Sequence, residues 1–299
     1  IPLVEWSTLN WSLLGKKSLA LIYNRPIGGH VIEAIENLSL ELNEIELQKR
    51  IVAPLIKGIK SLSALGYFHR AIRSSNVYFM DEEMREVVLG DCATSPSGFD
   101  QPMMYETIER SMTSPGGRGK GYLSDDIYAL GVTITEIVLG NNHLGMMSDE
   151  ELLNLKIEKG SYDALTSNAN LPLFFCEPLQ GMLHDNVNAR WGLEEIDGWL
   201  RGRKQSTPKQ APAIHSEIPF LFEGNSFHNS RLLSLHLSRN RETAMQIITD
   251  SGLINWLRNN IGETNKADSI IDTIKQAALH EDEPQGKDEF IISKACMIL

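Results

Sequence analysis

The sequence predicts an α+β fold that is mainly α-helical, with a large N-terminal region followed by a small helical domain. Apolar residues recur at helical spacing over long segments, whereas only short runs have the composition of β-strands. The composition changes at residues 201–213, a basic, proline-bearing stretch that is low in apolar residues and typical of a linker. The chain of 299 residues is long enough to bury a sizeable core.

The first elements are a strand and a long helix. Residues 18–23 (SLALIY) predict a short buried strand after a turn at residues 15–17, and residues 25–29 then interrupt the chain. From Glu44 to Leu65, apolar side chains repeat every three or four residues, which predicts a helix that ends at Gly66.

A β-hairpin and further helices are predicted next. Residues 76–80 and 86–89 are β-type runs separated by a charged turn. Residues 126–139 are apolar nearly all round, which predicts a helix in the middle of the region. Two shorter helices are predicted at residues 179–183 and 193–200.

The C-terminal region has its own elements. Residues 219–227 (PFLFEGNSF) predict a small hairpin, and an apolar tail ends the chain at residues 288–299. Helical periodicity is found between them at residues 232–237, 244–248, 253–257 and 270–278.

Residues 66–77 (GYFHRAIRSSNV) resemble the catalytic loop of protein kinases. In that family His-Arg-Asp, a short spacer and Asn follow a long helix and precede a hairpin, which is the order predicted here. His69 and Arg70 fall on the first two positions and Asn76 falls on the asparagine. Ala71 occupies the position of the aspartate.

Other segments resemble the kinase family in the same chain order, and together they cover about residues 18–200. They are Leu89–Ala93, with Asp91 at the Asp-Phe-Gly aspartate; Tyr105–Glu109, with Glu109 at the Ala-Pro-Glu glutamate; Asp126–Gly131, at the start of the central helix; and Leu183–Trp199, with Arg190 at the arginine of the closing helices.

This resemblance implies a protein kinase-like C-lobe with a short β-hairpin and a truncated or missing N-lobe. Residues 1–202 would form the kinase-like domain, with 1–24 as a remnant of the N-lobe strands and 25–202 as the helical C-lobe. Residues 203–216 would be a linker and 217–299 a small helical domain.

The resemblance also implies structural roles for five residues. Arg190 and Glu109 would form a charge-assisted pair that ties the activation segment to the floor of the lobe. Asp126 would accept backbone N–H groups from the loop that contains His69 and Arg70, since a buried carboxylate without donors is costly.

The sequence lacks parts that phosphoryl transfer requires. In active kinases the loop aspartate accepts the proton of the substrate hydroxyl, and the methyl group of Ala71 cannot do so. About 20 residues precede the hinge-like segment, and they contain no Gly-x-Gly-x-x-Gly motif. Lys16 and Lys17 are predicted in a turn and not in a strand of the Val-Ala-x-Lys type.

Two interpretations remain open for Asn76 and Asp91. In the kinase family these residues hold Mg²⁺, and an amide oxygen with a carboxylate suits a hard cation. Alternatively, Asn76 caps the loop and local backbone N–H groups satisfy Asp91. Cys92 and Ala93 replace the Phe and Gly of the family motif, which favours a fixed segment.

Two segments have possible phosphate chemistry. Residues 114–121 (SPGGRGKG) resemble a Walker A loop only in part, because Ser114 and Gly121 stand where the motif has Gly and Ser/Thr; the sequence favours a surface loop. Arg70 and Arg73 could receive a phosphorylated residue of the activation segment.

The leading hypothesis is a pseudokinase-type regulatory or scaffold protein that binds a protein partner of unknown identity. The first alternative is an atypical phosphoryl- or nucleotidyl-transferase that uses Mg-ATP through Asn76 and Asp91. The second is a lipid-anchored adaptor, because Cys296 begins a C-terminal Cys-Met-Ile-Leu box of the prenylated type.

Charge and cysteine usage limit the partners and the compartment. The net charge of −11 argues against nucleic acid as the main partner, and no segment predicts a transmembrane span. Three widely spaced cysteines do not form a disulfide framework, which favours a cytoplasmic location.

Overall fold

The structure is a computed structural model, and its chain is α+β and mainly helical with small antiparallel sheets, as the sequence predicts. Every helix in the described part of the chain is too short or too polar to span a bilayer. The structure describes residues 1–13, 15–37, 40–140, 144, 147–166, 169–210, 214–278 and 284–299.

The chain begins with a two-stranded antiparallel ribbon. Strand β1 (Leu3–Trp11) pairs with β2 (Lys16–Tyr23), which contains the predicted strand. The expected burial is wrong: β1 is exposed along its length and β2 is only partly covered. An alternating pattern of apolar residues does not show whether a second layer covers a ribbon, and within the described residues neither strand has one.

The predicted turn at residues 15–17 is also wrong in part. Lys17 and Lys16 belong to β2, where they lie opposite Asn10 and Trp11. Gly15 alone has the left-handed backbone of a turn, with φ 61°. The two lysines therefore lie in a strand, although one that is exposed to solvent.

The long predicted helix is present as a continuous helical run. Asn43 caps its start, because its side chain accepts the Glu46 N–H at 3.0 Å while the Glu46 carboxylate accepts the Asn43 N–H at 3.1 Å. Gly66 follows its end with φ 78°, as predicted. Helix α1 (Val31–Glu36) precedes the run, which consists of α2 (Glu44–Leu47), a π-helical turn (Gln48–Val52) and α3 (Ala53–Ala64).

In the described part of the N-terminal region, a hairpin and six further helices follow. Strands β3 (Val77–Phe79) and β4 (Val87–Leu89) form the predicted hairpin. The central helix is buried over most of its length, as its sequence predicts. The helices are α4 (Ile108–Ser111), α5 (Leu123–Leu139), α6 (Asp149–Lys159), α7 (Ser161–Thr166), α8 (Leu173–Met182) and α9 (Leu193–Leu200), of which α5 is the central one.

The C-terminal region is a hairpin followed by helices. Glu223 and Gly224 have positive φ angles of 48° and 77°, which suit the tight turn of a two-residue hairpin. The apolar tail, for which no helix is predicted, also forms one. The elements are β5 (Phe220–Phe222), β6 (Asn225–Phe227), α10 (Ser230–Arg239), α11 (Arg241–Thr249), α12 (Ser251–Trp256) with a π-helical turn (Leu257–Ile261), α13 (Thr264–Ala278) and α14 (Pro284–Ile298).

Two hydrophobic clusters form the core of the described residues. The first joins α1, α3, the β3–β4 hairpin, α5, α8 and α9. The second belongs mainly to the C-terminal helices, but it also contains Ile108 and Met112 near α4, and Leu153 and Ile157 of α6. The C-terminal helices therefore complete their core against the N-terminal region.

The described part of the predicted linker contacts the N-terminal region at two residues. The Gln205 N–H donates to Glu177 Oε1 at 3.1 Å, and Gln210 Nε2 donates to Asp185 at 2.7 Å. Ser216 is buried and its N–H donates to the carbonyl of His228 at 2.7 Å, so it belongs to the C-terminal region. Part of the predicted linker, residues 211–213, lies outside the described residues.

Candidate functional site

The loop that resembles the kinase catalytic loop is held by Asp126, at the start of the buried helix α5. The Asp126 carboxylate accepts the backbone N–H groups of His69 at 2.6 Å and of Arg70 at 2.8 Å. These are the contacts that the sequence predicts. Burial raises the pKa of Asp126 to about 6, although the two backbone donors oppose this.

His69 is a neutral, buried residue of the same loop. Burial lowers the pKa of its imidazole to about 4, so the ring is uncharged near neutral pH. The Ala71 N–H donates to His69 Nδ1 at 3.3 Å. His69 therefore stabilises the turn of the loop next to Ala71.

Ala71 contributes only its methyl group and its backbone. Its carbonyl accepts a hydrogen bond from Asn76 Nδ2 at 2.8 Å. The same nitrogen donates to the carbonyl of Asp91 at 2.9 Å, so Asn76 joins the loop to the end of the β3–β4 hairpin. Gly90 is required beside it, because a Cβ at position 90 would lie 1.8 Å from Asn76 Oδ1.

The Asp91 carboxylate is bound by donors of this chain. Its Oδ1 accepts from the Tyr23 hydroxyl and from the Ala93 N–H, the latter at 3.1 Å. Its Oδ2 accepts from the Thr94 hydroxyl and from the Thr94 N–H, the latter at 3.1 Å. Partial burial raises the pKa of Asp91, but the hydrogen bonds from Thr94, Tyr23 and Ala93 outweigh it and leave the pKa below its usual value.

These contacts favour the interpretation that Asn76 and Asp91 are satisfied within the chain. A Mg²⁺ ion needs several oxygen ligands in near-octahedral geometry. To bind through Asp91 it would have to compete with the hydroxyl groups of Tyr23 and Thr94. In the described part of the chain, no group of three or more His, Cys, Asp or Glu side chains could hold a metal ion. In the present arrangement, four donors of this chain occupy the Asp91 oxygens that a Mg²⁺ ion would need.

Arg70 is buried in an ion pair that the sequence does not predict. Its Nη2 lies 2.9 and 3.0 Å from the two carboxylate oxygens of Glu106, and both side chains are fully buried. Arg118 Nη1 lies 3.7 Å from the same carboxylate. Arg70 also has a left-handed backbone, with φ 55°. The idea that Arg70 receives a phosphorylated residue is therefore not supported, because its guanidinium group is enclosed.

The predicted pair between Glu109 and Arg190 is wrong. Glu109 lies 2.7 Å from Arg231 of α10, which joins the lobe to the C-terminal helices. Arg190 instead donates to the carbonyls of His184 at 2.8 Å and Ser124 at 3.1 Å. Glu106 lies in the same segment, Tyr105–Glu109, that the resemblance to kinases singled out. The position of the glutamate in the Ala-Pro-Glu motif corresponds to Glu109, however, and not to Glu106.

Cys296 lies in the core between the C-terminal helices. Its side chain is 1% exposed, and its backbone carbonyl accepts a hydrogen bond from the Ser234 hydroxyl at 2.7 Å. Burial raises the pKa of its thiol to about 12. Lipid attachment at Cys296 would require the end of α14 to leave the core.

Comparisons with known proteins give no identification. No model of a protein family matches the chain, and none of the curated proteins is detectably similar to it in sequence. The resemblance to kinases therefore depends on the residues of this chain alone.

Proposed function

We propose that the chain is a pseudokinase-type regulatory protein, a kinase-like scaffold that binds a protein partner and does not transfer phosphate. The observation that carries this proposal is Ala71, which stands where a kinase has its catalytic base. Loss of a general base typically costs about 10²–10⁴-fold in rate. The proposal includes a cytoplasmic location, supported by free Cys92, Cys176 and Cys296.

The contacts of Asp91 add support. Each carboxylate oxygen of Asp91 accepts two hydrogen bonds, so a metal ion would have to displace them in order to bind. Reinstating the base alone is then not enough for activity. We expect the Ala71→Asp variant to remain inactive in a phosphotransfer assay with radiolabelled ATP and Mg²⁺.

The assay also separates this proposal from the Mg-ATP-dependent transferase. Robust transfer by the unaltered chain, abolished by Asp91→Ala, would overturn the regulatory proposal. A thermal shift that needs both ATP and Mg²⁺ and disappears in Asp91→Ala would support nucleotide binding at this position. Asp163→Ala, an exposed carboxylate on α7, is the matched control.

A role in partner binding is supported by the β1–β2 ribbon. Trp6, which is 67% exposed, and Leu19 lie on one face of it, because Trp6 is opposite Leu21 and Leu19 is opposite Thr8. Exposed large apolar side chains on one face commonly mark a protein interaction site. Once a partner has been identified and purified, Trp6→Ser combined with Leu19→Ser should weaken its binding at least about tenfold, or about 1.4 kcal/mol.

The control for that experiment is Leu173→Ser, at an exposed leucine at the start of α8. Equal weakening by the control and by the ribbon variant would remove the ribbon as the binding surface. Unchanged binding of the ribbon variant would do the same.

A further inference from the structure

A large cavity lies between the kinase-like lobe and the C-terminal helices. Its volume is about 870 Å³, within the range of small-molecule binding pockets. Its lining includes the segment from Arg118 to Gly121 together with residues at the start of α10 and the end of α14. The cavity contains neither Ala71 nor Asp91, so a ligand bound in it would be independent of the proposed function.

The cavity is positively charged although the chain as a whole is acidic. Eight lysine or arginine side chains and four carboxylates line it, an excess of four positive charges, whereas the net charge of the chain is −11. Three of the carboxylates are already paired with a cation of the same lining: Glu109 with Arg231, Asp125 with Arg110, and Glu263 with Lys266.

The remaining carboxylate is also occupied. Asp185 accepts the Ser161 N–H at 3.1 Å and the Gln210 side-chain amide at 2.7 Å. By contrast, Lys120, Lys209 and Lys294 are exposed, and none of them forms an ion pair within the described residues. The rim therefore has three cations available to a ligand.

Arg190 is a buried cation without an acidic partner in the described chain. It is only 8% exposed, and it lines the cavity. Its partners are two backbone carbonyls and the ring of Tyr128, whose centroid lies 5.2 Å from Arg190 Cζ. No carboxylate of the described chain lies within 4.0 Å of it. A buried charge without a counter-ion is costly, and an anion in the cavity would reduce that cost.

His184 provides a second, independent observation. It is 5% exposed and lines the same cavity. Its Nδ1 accepts the Asn186 N–H at 3.1 Å, so Nε2 is the nitrogen that carries a proton. That buried Nε2 has no partner in the described part of the structure. An unsatisfied buried donor beside a buried cation is what an anionic ligand would satisfy.

The wall of the cavity is partly apolar. Val187, Ile214, Met297 and Ile298 contribute to it. A ligand that fills the space therefore needs an apolar part as well as an anionic group. Arginine is well suited to phosphate, because its planar fork matches the geometry of the phosphate oxygens.

We propose that this cavity binds a small organic phosphomonoester, with the phosphoryl group on the Arg190 side and the apolar part against Ile298 and its neighbours. Binding at this boundary would stabilise the contact between the lobe and the C-terminal helices, because the ligand would touch both. It would also be weakened by salt, since the attraction depends on exposed lysines.

Calorimetric titration with phenyl phosphate tests the proposal, with phenol and inorganic phosphate as separate probes. We expect saturable binding of phenyl phosphate, weaker binding of inorganic phosphate and none of phenol. The combined Lys120→Glu, Lys209→Glu and Lys294→Glu variant should bind phenyl phosphate at least about tenfold more weakly. Lys275→Glu, at a lysine of α13 that is 71% exposed and outside the cavity, should bind normally.

Arg190→Lys is a second variant that keeps the charge and loses the planar fork. It should weaken phenyl phosphate binding and leave the binding of phenol unchanged. Lys120, Lys209 and Lys294 are all exposed, so the combined variant at these three lysines should fold. It therefore tests the proposal even if Arg190→Lys fails to fold. No saturable binding at about 10 mM phenyl phosphate, or equal affinity of the rim variant and the Lys275→Glu control, would overturn the proposal.

Discussion

Arg70 and Glu106 form a fully buried ion pair in which one guanidinium nitrogen lies 2.9 and 3.0 Å from the two carboxylate oxygens. Burial raises the pKa of Glu106, and the nearby Arg70 and Arg118 oppose this. The pair joins the loop at residues 66–77 to the segment before α4. Removing one member would leave the other as an uncompensated buried charge.

We therefore expect Glu106→Gln to lower the free energy of unfolding by about 3–5 kcal/mol. Urea denaturation followed by circular dichroism measures it. Glu83→Gln is the matched control, because Glu83 and its partner Arg85 are both mostly exposed, and a change within about 0.5 kcal/mol is expected there. Equal changes in the free energy of unfolding for Glu106→Gln and Glu83→Gln would contradict the claim that burial makes the Arg70–Glu106 pair costly to break.

Glu136 should make stability depend on pH. It is buried in α5 and accepts a hydrogen bond from the Tyr105 hydroxyl, and burial raises the pKa of its carboxyl group to about 7. The native state therefore retains a proton that the unfolded state releases between about pH 4.5 and 7. The contribution of Glu136 to stability is present below that range and is lost as the pH rises through 7.

The expected result is that Glu136→Gln becomes more stable relative to the unaltered chain as the pH is raised from 5 to 8, by up to about 3 kcal/mol. Urea midpoints at several pH values for both proteins provide the measurement. The other titrating groups are common to both, so the difference isolates Glu136. If the urea midpoints of the two proteins changed with pH in parallel, Glu136 would not be a source of the pH dependence.

The shared core should make the lobe and the C-terminal helices unfold together. Leu153 and Ile157 of α6 pack in the same cluster as Leu257 and Trp256. We expect Leu257→Ala to lower the free energy of unfolding by about 2–5 kcal/mol and to shift one transition for the whole chain. Far-ultraviolet circular dichroism and tryptophan fluorescence should then give coincident curves.

Leu173→Ala, at an exposed leucine of the lobe, should leave that transition nearly unchanged. Two separate transitions, only one of which responds to Leu257→Ala, would mean that the two parts unfold independently.

Cys296 should resist alkylation in the folded protein. The thiolate is the reactive form, and both burial and a thiol pKa of about 12 suppress it. With N-ethylmaleimide, mass spectrometry should find the half-buried Cys176 modified well before Cys296. In urea the two should react at similar rates. Rapid native labelling of Cys296 would show that α14 leaves the core readily and would revive the lipid-anchor alternative.

The contact of Asp126 with His69 and Arg70 could be predicted, because each residue lies in a short pattern with a defined place in the chain. The partner of Glu109 could not. Arg231 lies 122 residues further on, and its position is fixed by packing of the C-terminal helices. A periodic pattern identifies which face of a helix is apolar, but not which distant element covers it.

The same limit explains the other differences. The apolar residues of β2 predicted burial, yet no second layer covers the ribbon in the part of the chain that the structure describes. The cavity next to Arg190 could not be predicted from the sequence, because its lining comes from the N-terminal region, residues 208–210, Ile214 and three separate parts of the chain after residue 228. The role of the glycine-rich segment at residues 114–121 depends on its neighbours in space, because its residues 118–121 line the cavity together with distant parts of the chain.

The left-handed backbone of Arg70 has a consequence for tolerance to substitution along the loop. Asp126 fixes its N–H, Glu106 fixes its guanidinium, and a φ of 55° disfavours most other residues in its place. The hydrogen bonds of the adjoining Ala71 come from its backbone, so its side chain is not constrained in this way. In a saturation mutagenesis scan read out by protein abundance, position 70 should tolerate few substitutions and position 71 many. The side chain at position 71 can therefore change without changing the backbone path of the loop.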